Sequence, residues 1–336
     1  MPSATPTRGP IPTPRVPDLR FESEDVPEHW FAGDPALTAS WNALSVIVAV
    51  AERTFVDIGR WLIEHIENDE IAQQTTLFMQ QEAVHAAMHG RMNRVLQARG
   101  LPTDAIDAFA KEAIERVRAE EGPSAFMSTG LAGEQVIGEL AHAILANPSA
   151  MDGLPKKLRE LFFWHWYEEV EHQASLHEGW AAVHGEDENA RGLRLLGAAY
   201  FLVFIGITWP TAAWAMSTRE QRRNPRHWRT IVGQMFRRPG LMRGVGANLR
   251  SLARVDYHPS DNHDPYPTLR AYEGSAIRPE WAVPPKATPA RRVAPEVVPT
   301  YTAASWVGPV RYASWMVGHC VRFVRAQKRR ENLGQV

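Results

Sequence analysis

The chain has 336 residues, 37 Lys and Arg against 38 Asp and Glu, and a formal net charge of -1. That balance gives no electrostatic case for nucleic acid, and the length can bury a substantial core, as one large domain or one domain with appendages. A single cysteine, Cys320, excludes an intrachain disulfide and any multi-cysteine zinc or iron–sulfur site.

Residues 1–20 carry several prolines, Arg8, Arg15 and Arg20, and no apolar run. They read as a disordered arm, because such a segment cannot offset the entropy of its own ordering. They do not read as a secretory signal. With the lone cysteine, this leads us to expect a cytoplasmic protein.

Residues 21–190 read as a helical bundle. An extended entry segment, 21–36, offers Trp30 and Phe31 as anchors. The first helix runs from Thr38 to about Asn68, with Thr38 or Ser40 as cap. Its stretch Ala43–Val50 is apolar on nearly all sides, as in a helix buried in a bundle. Glu52 interrupts it and needs a partner. Either it pairs with Arg53 or Arg60 near the surface, or it binds a metal.

The second helix spans 69–99 and aligns Phe78, Glu82, His85 and His89 on one stripe. Glu82 follows Glu52 by 30 positions, enough for an antiparallel pair that brings the two level. His89 is either a residue that orients a ligand or an exposed one. Gly100-Leu101-Pro102 ends the helix. Residues 104–121 form an amphipathic connector, and Gly122-Pro123-Ser124 resets the chain. The third bundle helix, 124–147, holds Glu134, Glu139 and His142 after the small residues Ser128, Thr129, Gly130, Ala132 and Gly133. Small residues let a neighbouring helix approach closely or leave room for a substrate. Glu134 is the preferred ligand and Glu139 the runner-up.

Pro155 opens the fourth helix, which carries Trp164-His165-Trp166-Tyr167-Glu168-Glu169-Val170-Glu171-His172. Glu169 and His172 are three apart and share a side, with His165 four residues before Glu169 on that same side. In chain order the four helices offer Glu52, then Glu82 with His85, then Glu134, then Glu169 with His172. This is the ligand order of di-iron and di-manganese carboxylate bundles. Glu168 and Glu171 flank the set as supporting charge.

Residues 191–260 read as apolar and basic helices lying on the bundle or on a membrane. Leu195–Thr218 holds 24 residues without a charge, long enough to span a bilayer. Arg219, Arg222, Arg223, Arg226 and Arg229 follow and suit anionic headgroups. The alternative is a buried helix, or a hairpin bent at Pro210, that covers the bundle. Residues 230–255 read as a further basic amphipathic helix. His258, Asp261, His263 and Asp264 fall in a turn-forming stretch. Residues 261–336 comprise a proline-rich extension that wraps the surface without a fold over 265–300, then a helix over about Ala303–Glu331. The apolar half and basic end of that helix suit a partner helix, a contact in a homo-oligomer or a membrane surface.

Several segments together resemble a bacterial family described as a predicted metal-dependent hydrolase, a ferritin-like group, over about residues 30–270. They are Ala51-Glu52-Arg53-Thr54-Phe55, Gln81-Glu82-Ala83-Val84-His85 with His89 and Asn93, Trp164-His165 through His172-Gln173, Arg238-Pro239-Gly240 and Tyr257-His258-Pro259. The resemblance implies an all-α, ferritin-like four-helix bundle, with extra C-terminal helices and proline-rich terminal segments added here. It implies Glu134 rather than Glu139, since the family's third-helix Glu follows a Thr-rich segment of small residues. Gln173 departs from the Lys that many relatives carry. His165, Glu169 and His172 are also similar to the last helix of p-aminobenzoate N-oxygenase-type di-iron enzymes, which implies His165 as a further ligand.

Four carboxylates balance the charge of two divalent ions, and mixed nitrogen and oxygen donors suit iron, with manganese or zinc as alternatives. The family's name points to hydrolysis, which two bridged metals can support. The bundle arrangement is instead that of oxygen-activating carboxylate proteins. We therefore expect a di-iron oxidase or oxygenase acting on a small apolar or amine-bearing molecule. A two-metal hydrolase comes second and a non-catalytic, membrane-associated helical protein third. The sequence carries no flavin or ferredoxin pattern, so an oxygenase needs an external electron donor.

Overall fold

A computed structural model describes residues 8–237, 240–242, 244–275, 277–289 and 299–334. The chain is an all-α helical bundle. Helices α1 (Pro35–His65) and α2 (Asp69–Ala98) are joined by a three-residue turn. They run antiparallel: Ser45 meets His89 near one end of the pair, and Gly59 meets Thr75 and Met79 near the other. Helix α1 starts three residues before the expected Thr38. Asp34 caps it by accepting from the amides of Ala36 and Leu37, and Pro35 occupies the first turn, where its missing N–H costs nothing. Thr38 instead accepts a hydrogen bond from the Phe31 amide.

Helix α3 (Thr103–Ala146) contains both the expected connector and the third bundle helix. Gly122 separates them with φ 80° and ψ -179°, a conformation open to glycine, and Pro123 follows. Helices α4 (Lys156–His172) and α5 (Ser175–His184) come next. Helix α6 (Glu188–Ala215) continues through Pro210 as one helix, so the chain does not fold back there as a bent hairpin. By length and composition α6 could cross a membrane, and half of its most apolar window is buried in this fold. It packs along α3 and touches α1. A Cβ on Gly197 would lie only 2.1 Å from the carbonyl oxygen of Ser128. The small residues before Glu134 thus serve a close helix crossing.

Helices α7 (Arg219–Arg223) and α8 (Pro225–Phe236) carry the basic stretch, and α8 and α9 (Val245–Ser251) divide the segment 230–255 expected to form one helix. Helix α10 (Pro265–Glu273) lies inside the stretch expected to lack a fold. Helix α11 (Val307–Asn332) packs on α6, and its Tyr312 hydroxyl donates to the carbonyl of Ala113.

The amino-terminal segment also departs from expectation. Residues 8–20 are packed rather than disordered: Pro12, Pro14, Arg15, Pro17 and Leu19 are buried. Strand β1 (Val16–Pro17) pairs antiparallel with β2 (Trp281–Ala282), and the Asp18 amide donates to the carbonyl of Glu280. Prolines leave little backbone freedom to lose, and Arg15 finds several acceptors beneath it. The expectations for residues 1–7, 276 and 290–298, and for Arg238 and Pro239, fall outside the described residues.

Candidate metal centre

The fold brings all seven candidate residues to one place. Glu52 comes from α1, Glu82 and His85 from α2, Glu134 from α3, and His165, Glu169 and His172 from α4. Every one is at most 1 % exposed. Among the described residues they form two groups that share Glu169. One is Glu52, His85, His165 and Glu169; the other is Glu82, Glu134, Glu169 and His172. Within each group, one donor atom per residue lies within 4.8 Å of the others.

Glu169 spans the two groups. Its Oε1 lies 2.7 Å from His165 Nε2, and its Oε2 lies 3.2 Å from His172 Nε2. His165 Nε2 also sits 3.2 Å from Glu52, while His172 Nε2 sits 3.2 Å from Glu82 and 3.3 Å from Glu134. His85 Nδ1 faces Glu169 at 3.4 Å. The spacing explains the convergence: residues three and four apart on α2 and α4 share a face, and the α1–α2 register levels Glu52 with Glu82.

Each imidazole keeps its other nitrogen on a supporting partner. His85 Nε2 lies 3.0 Å from Glu168, and His172 Nδ1 lies 3.1 Å from the Gln81 side-chain oxygen. His165 Nδ1 lies 3.0 Å from His89 Nε2, and His89 Nδ1 lies 3.0 Å from Ser45 Oγ. Ser45 donates its own proton to Asn93 Oδ1, so His89 Nδ1 is the donor to Ser45. His89 Nε2 then accepts from His165 Nδ1, which directs His165 Nε2 at the carboxylates. Such partners fix tautomer and ring orientation, as around metal-bound histidines. His89 is therefore buried and orienting, not exposed.

The electrostatics call for cations. Among the described residues, neither carboxylate oxygen of Glu52, Glu82 or Glu134 has a hydrogen-bond partner, and nor does His85 Nδ1. Burial, together with the Glu169 and Glu52 charges, pushes the carboxyls of Glu82 and Glu134 well above the usual carboxylate range. Glu169 is held well below that range, because His172 and His165 outweigh its burial. Burial drives the His165 imidazole down, but Glu169 and Glu52 outweigh it and hold it up at about 9. Unpaired buried carboxylates are costly. Two divalent ions would neutralise the four charges of this cluster and occupy the orphaned oxygens, so the residues present fit such a pair.

The runner-up ligand lies elsewhere. Glu139 accepts from His263 at 2.8 Å and from Asn248 at 3.3 Å, outside both groups. His142, its partner in the third Glu-x-x-His, sits 2.8 Å from Gln173 and stacks on His263. Asn248 and His263 lie far along the chain and neutralise a carboxylate that spacing alone made a rival of Glu134. His258 sits 3.3 Å from Glu178, so the His and Asp residues of 255–264 serve structural pairs.

Sequence reasoning missed Arg15, Gln81 and Ser45. Gln81 and Ser45 are polar residues on buried helix faces, which is a signal in hindsight. Arg15 carried no local signal.

An apolar cavity of about 50 Å³ lies between α1, α3 and α6. Ala51 and Phe55, which neighbour Glu52 on α1, line it with Gly130, Gly133 and Ile137, which neighbour Glu134 on α3. Gly130 admits the side chain of Ile58 and Gly133 that of Phe201, and both border the cavity.

No curated protein and no solved structure matches the chain. A family model described as a predicted metal-dependent hydrolase matches residues 13–263, a span that runs from the buried arm past all seven cluster residues. By its length and by the buried Glu and His cluster inside it, this match places the chain in the predicted metal-dependent hydrolase family.

Proposed function

We propose that the protein is a two-metal enzyme, and that its chemistry is oxidation of a small apolar substrate with iron as the metal. The carrying observation is the donor set: four buried glutamates and three histidines on four helices, with the carboxylate oxygens of Glu52, Glu82 and Glu134 left without a hydrogen-bond partner among the described residues. This is the arrangement of oxygen-activating carboxylate bundles. Iron bound there would supply electrons to dioxygen, with an external donor to restore them. The chain's own residues contribute the rest. Glu169 holds the two positions together, His89 and Ser45 keep the His165 ring in one orientation, and the apolar side chains around the cavity beside Glu52 and Glu134 exclude water. The apolar lining beside those two glutamates favours oxidation over hydrolysis, because it offers few polar groups to a scissile ester or phosphoester.

Hydrolysis is the second reading, and the family's description favours it. Two bridged ions can generate hydroxide and stabilise a leaving oxygen. The two readings separate on oxygen. Reduced, iron-loaded protein is expected to consume oxygen on mixing with aerated buffer and to carry two metal ions per chain. Glu82→Ala and His172→Ala should lose metal, measured by elemental analysis. Failure to consume oxygen, combined with ester or phosphoester turnover by the zinc or manganese form under strict anaerobiosis, would install the hydrolytic reading instead.

A further inference from the structure

We propose that Arg15, delivered by the amino-terminal arm, is a positioning residue that ties the two metal positions together. The inference rests on the metal-centre reading but not on whether the chemistry is oxidative or hydrolytic. Arg15 is buried, with 8 % of its surface exposed. Its guanidinium stands at the fork of two hydrogen-bonded branches. In the first, NH1 donates to Glu168 Oε1 at 3.1 Å, and Glu168 Oε2 lies 3.0 Å from His85 Nε2. In the second, NH1 and NH2 grip the two oxygens of Glu171, each at 2.9 Å. Glu171 Oε2 accepts from Gln81 Nε2 at 2.7 Å, and Gln81 Oε1 lies 3.1 Å from His172 Nδ1.

The two branches end on histidines of different groups, His85 in one and His172 in the other. A single planar fork thus orients one imidazole at each position. Glu168 and Glu171 are themselves buried acids, and removing their cation would leave them uncompensated. Both would then lose the contact that fixes their place, and both imidazoles would lose their fixed partner. Partners of this kind are worth about 10- to 100-fold in metal affinity.

The arm has other anchors, so the guanidinium can be tested apart from the segment. The Thr13 amide donates to Glu171, the Asp18 amide to Glu280, and Arg91 donates to the carbonyl of Leu19. Arg8 pairs with Asp261 on the same arm with no link to the cluster.

The test is anaerobic titration of metal-free full-length protein with cobalt(II), followed by the visible absorption of the bound ion. Wild type is expected to take two ions per chain. Arg15→Gln should weaken both sites at least 10-fold and alter the cobalt bands. Arg15→Lys, which keeps the charge but not the fork, should recover part of the affinity. Arg8→Gln should match wild type. An Arg15→Gln protein that folds as wild type does and keeps wild-type affinity at either site overturns the proposal. Should Arg15→Gln fail to fold, Glu168→Gln and Gln81→Leu cut one branch each. Each should weaken a single site and spare the other, and equal effects on both sites would overturn the two-branch arrangement. Wild-type protein that takes up no cobalt is a different result, because it removes the metal-centre reading itself.

Discussion

Glu134 and Glu139 sit five residues apart on one helix, and only Glu134 faces the cluster. Glu134→Gln should therefore lower metal content, while Glu139→Gln should leave it at the wild-type level, as elemental analysis of the two purified variants would read. The same pair shows how much of the site was legible. A Glu-x-x-His repeated on helices of bundle length marks ligands because spacing of three and four places side chains on one face, and neighbouring helices then face each other. Spacing could not separate Glu134 from Glu139, since that depends on His263 and Asn248, more than a hundred positions away. Arg15 was illegible for a related reason. A long-range ion pair leaves no period in the sequence, and a proline-rich stretch reads as disorder whether or not a partner awaits it.

At the level of the elements, the long bundle helices were legible from apolar periodicity and from their glycine and proline breaks. The short ones were not. Helix α10 hides in a proline-rich stretch, yet Asp264-Pro265 repeats the start signal of Asp34-Pro35 in α1 and Asn224-Pro225 in α8. An Asx cap followed by proline in the first turn is a helix start, not a break. The apolar run 195–218 was ambiguous, because a buried helix and a spanning one share a composition. Its glycines differ in their surroundings within this fold. Gly197 meets the Ser128 backbone, whereas Gly206 has open space around its Cα. Gly197→Ala should destabilise the protein by about 1–3 kcal/mol through overpacking. Gly206→Ala should stabilise it by up to about 1 kcal/mol through helix propensity. Chemical denaturation of the two variants makes the comparison.

Across the whole molecule, the bundle holds neutral histidines that set its response to acid. Burial keeps His184 down at about 4 against the help of the Trp180 carbonyl, and burial likewise keeps His142 at about 4. A histidine whose folded value lies below its unfolded one binds protons more readily when the chain unfolds. The stability these two histidines contribute is therefore intact above pH of about 6.5 and falls as pH drops towards 4. His184→Gln should flatten that fall in the pH dependence of thermal unfolding between pH 7 and 5. The pairing of β1 with β2 has a consequence of another kind. Arg15 meets Glu168 across 153 residues of chain, and its strand closes against residues 281–282. On the ribosome, this pairing can therefore close only after residues 281–282 have been made. Until then, the arm lies over the edge of α4 that bears Glu168 and Glu171 on contacts such as those with Glu171 and Arg91, without its strand partner. Synthesis itself thus leaves an interval in which that edge is less firmly covered than in the finished fold.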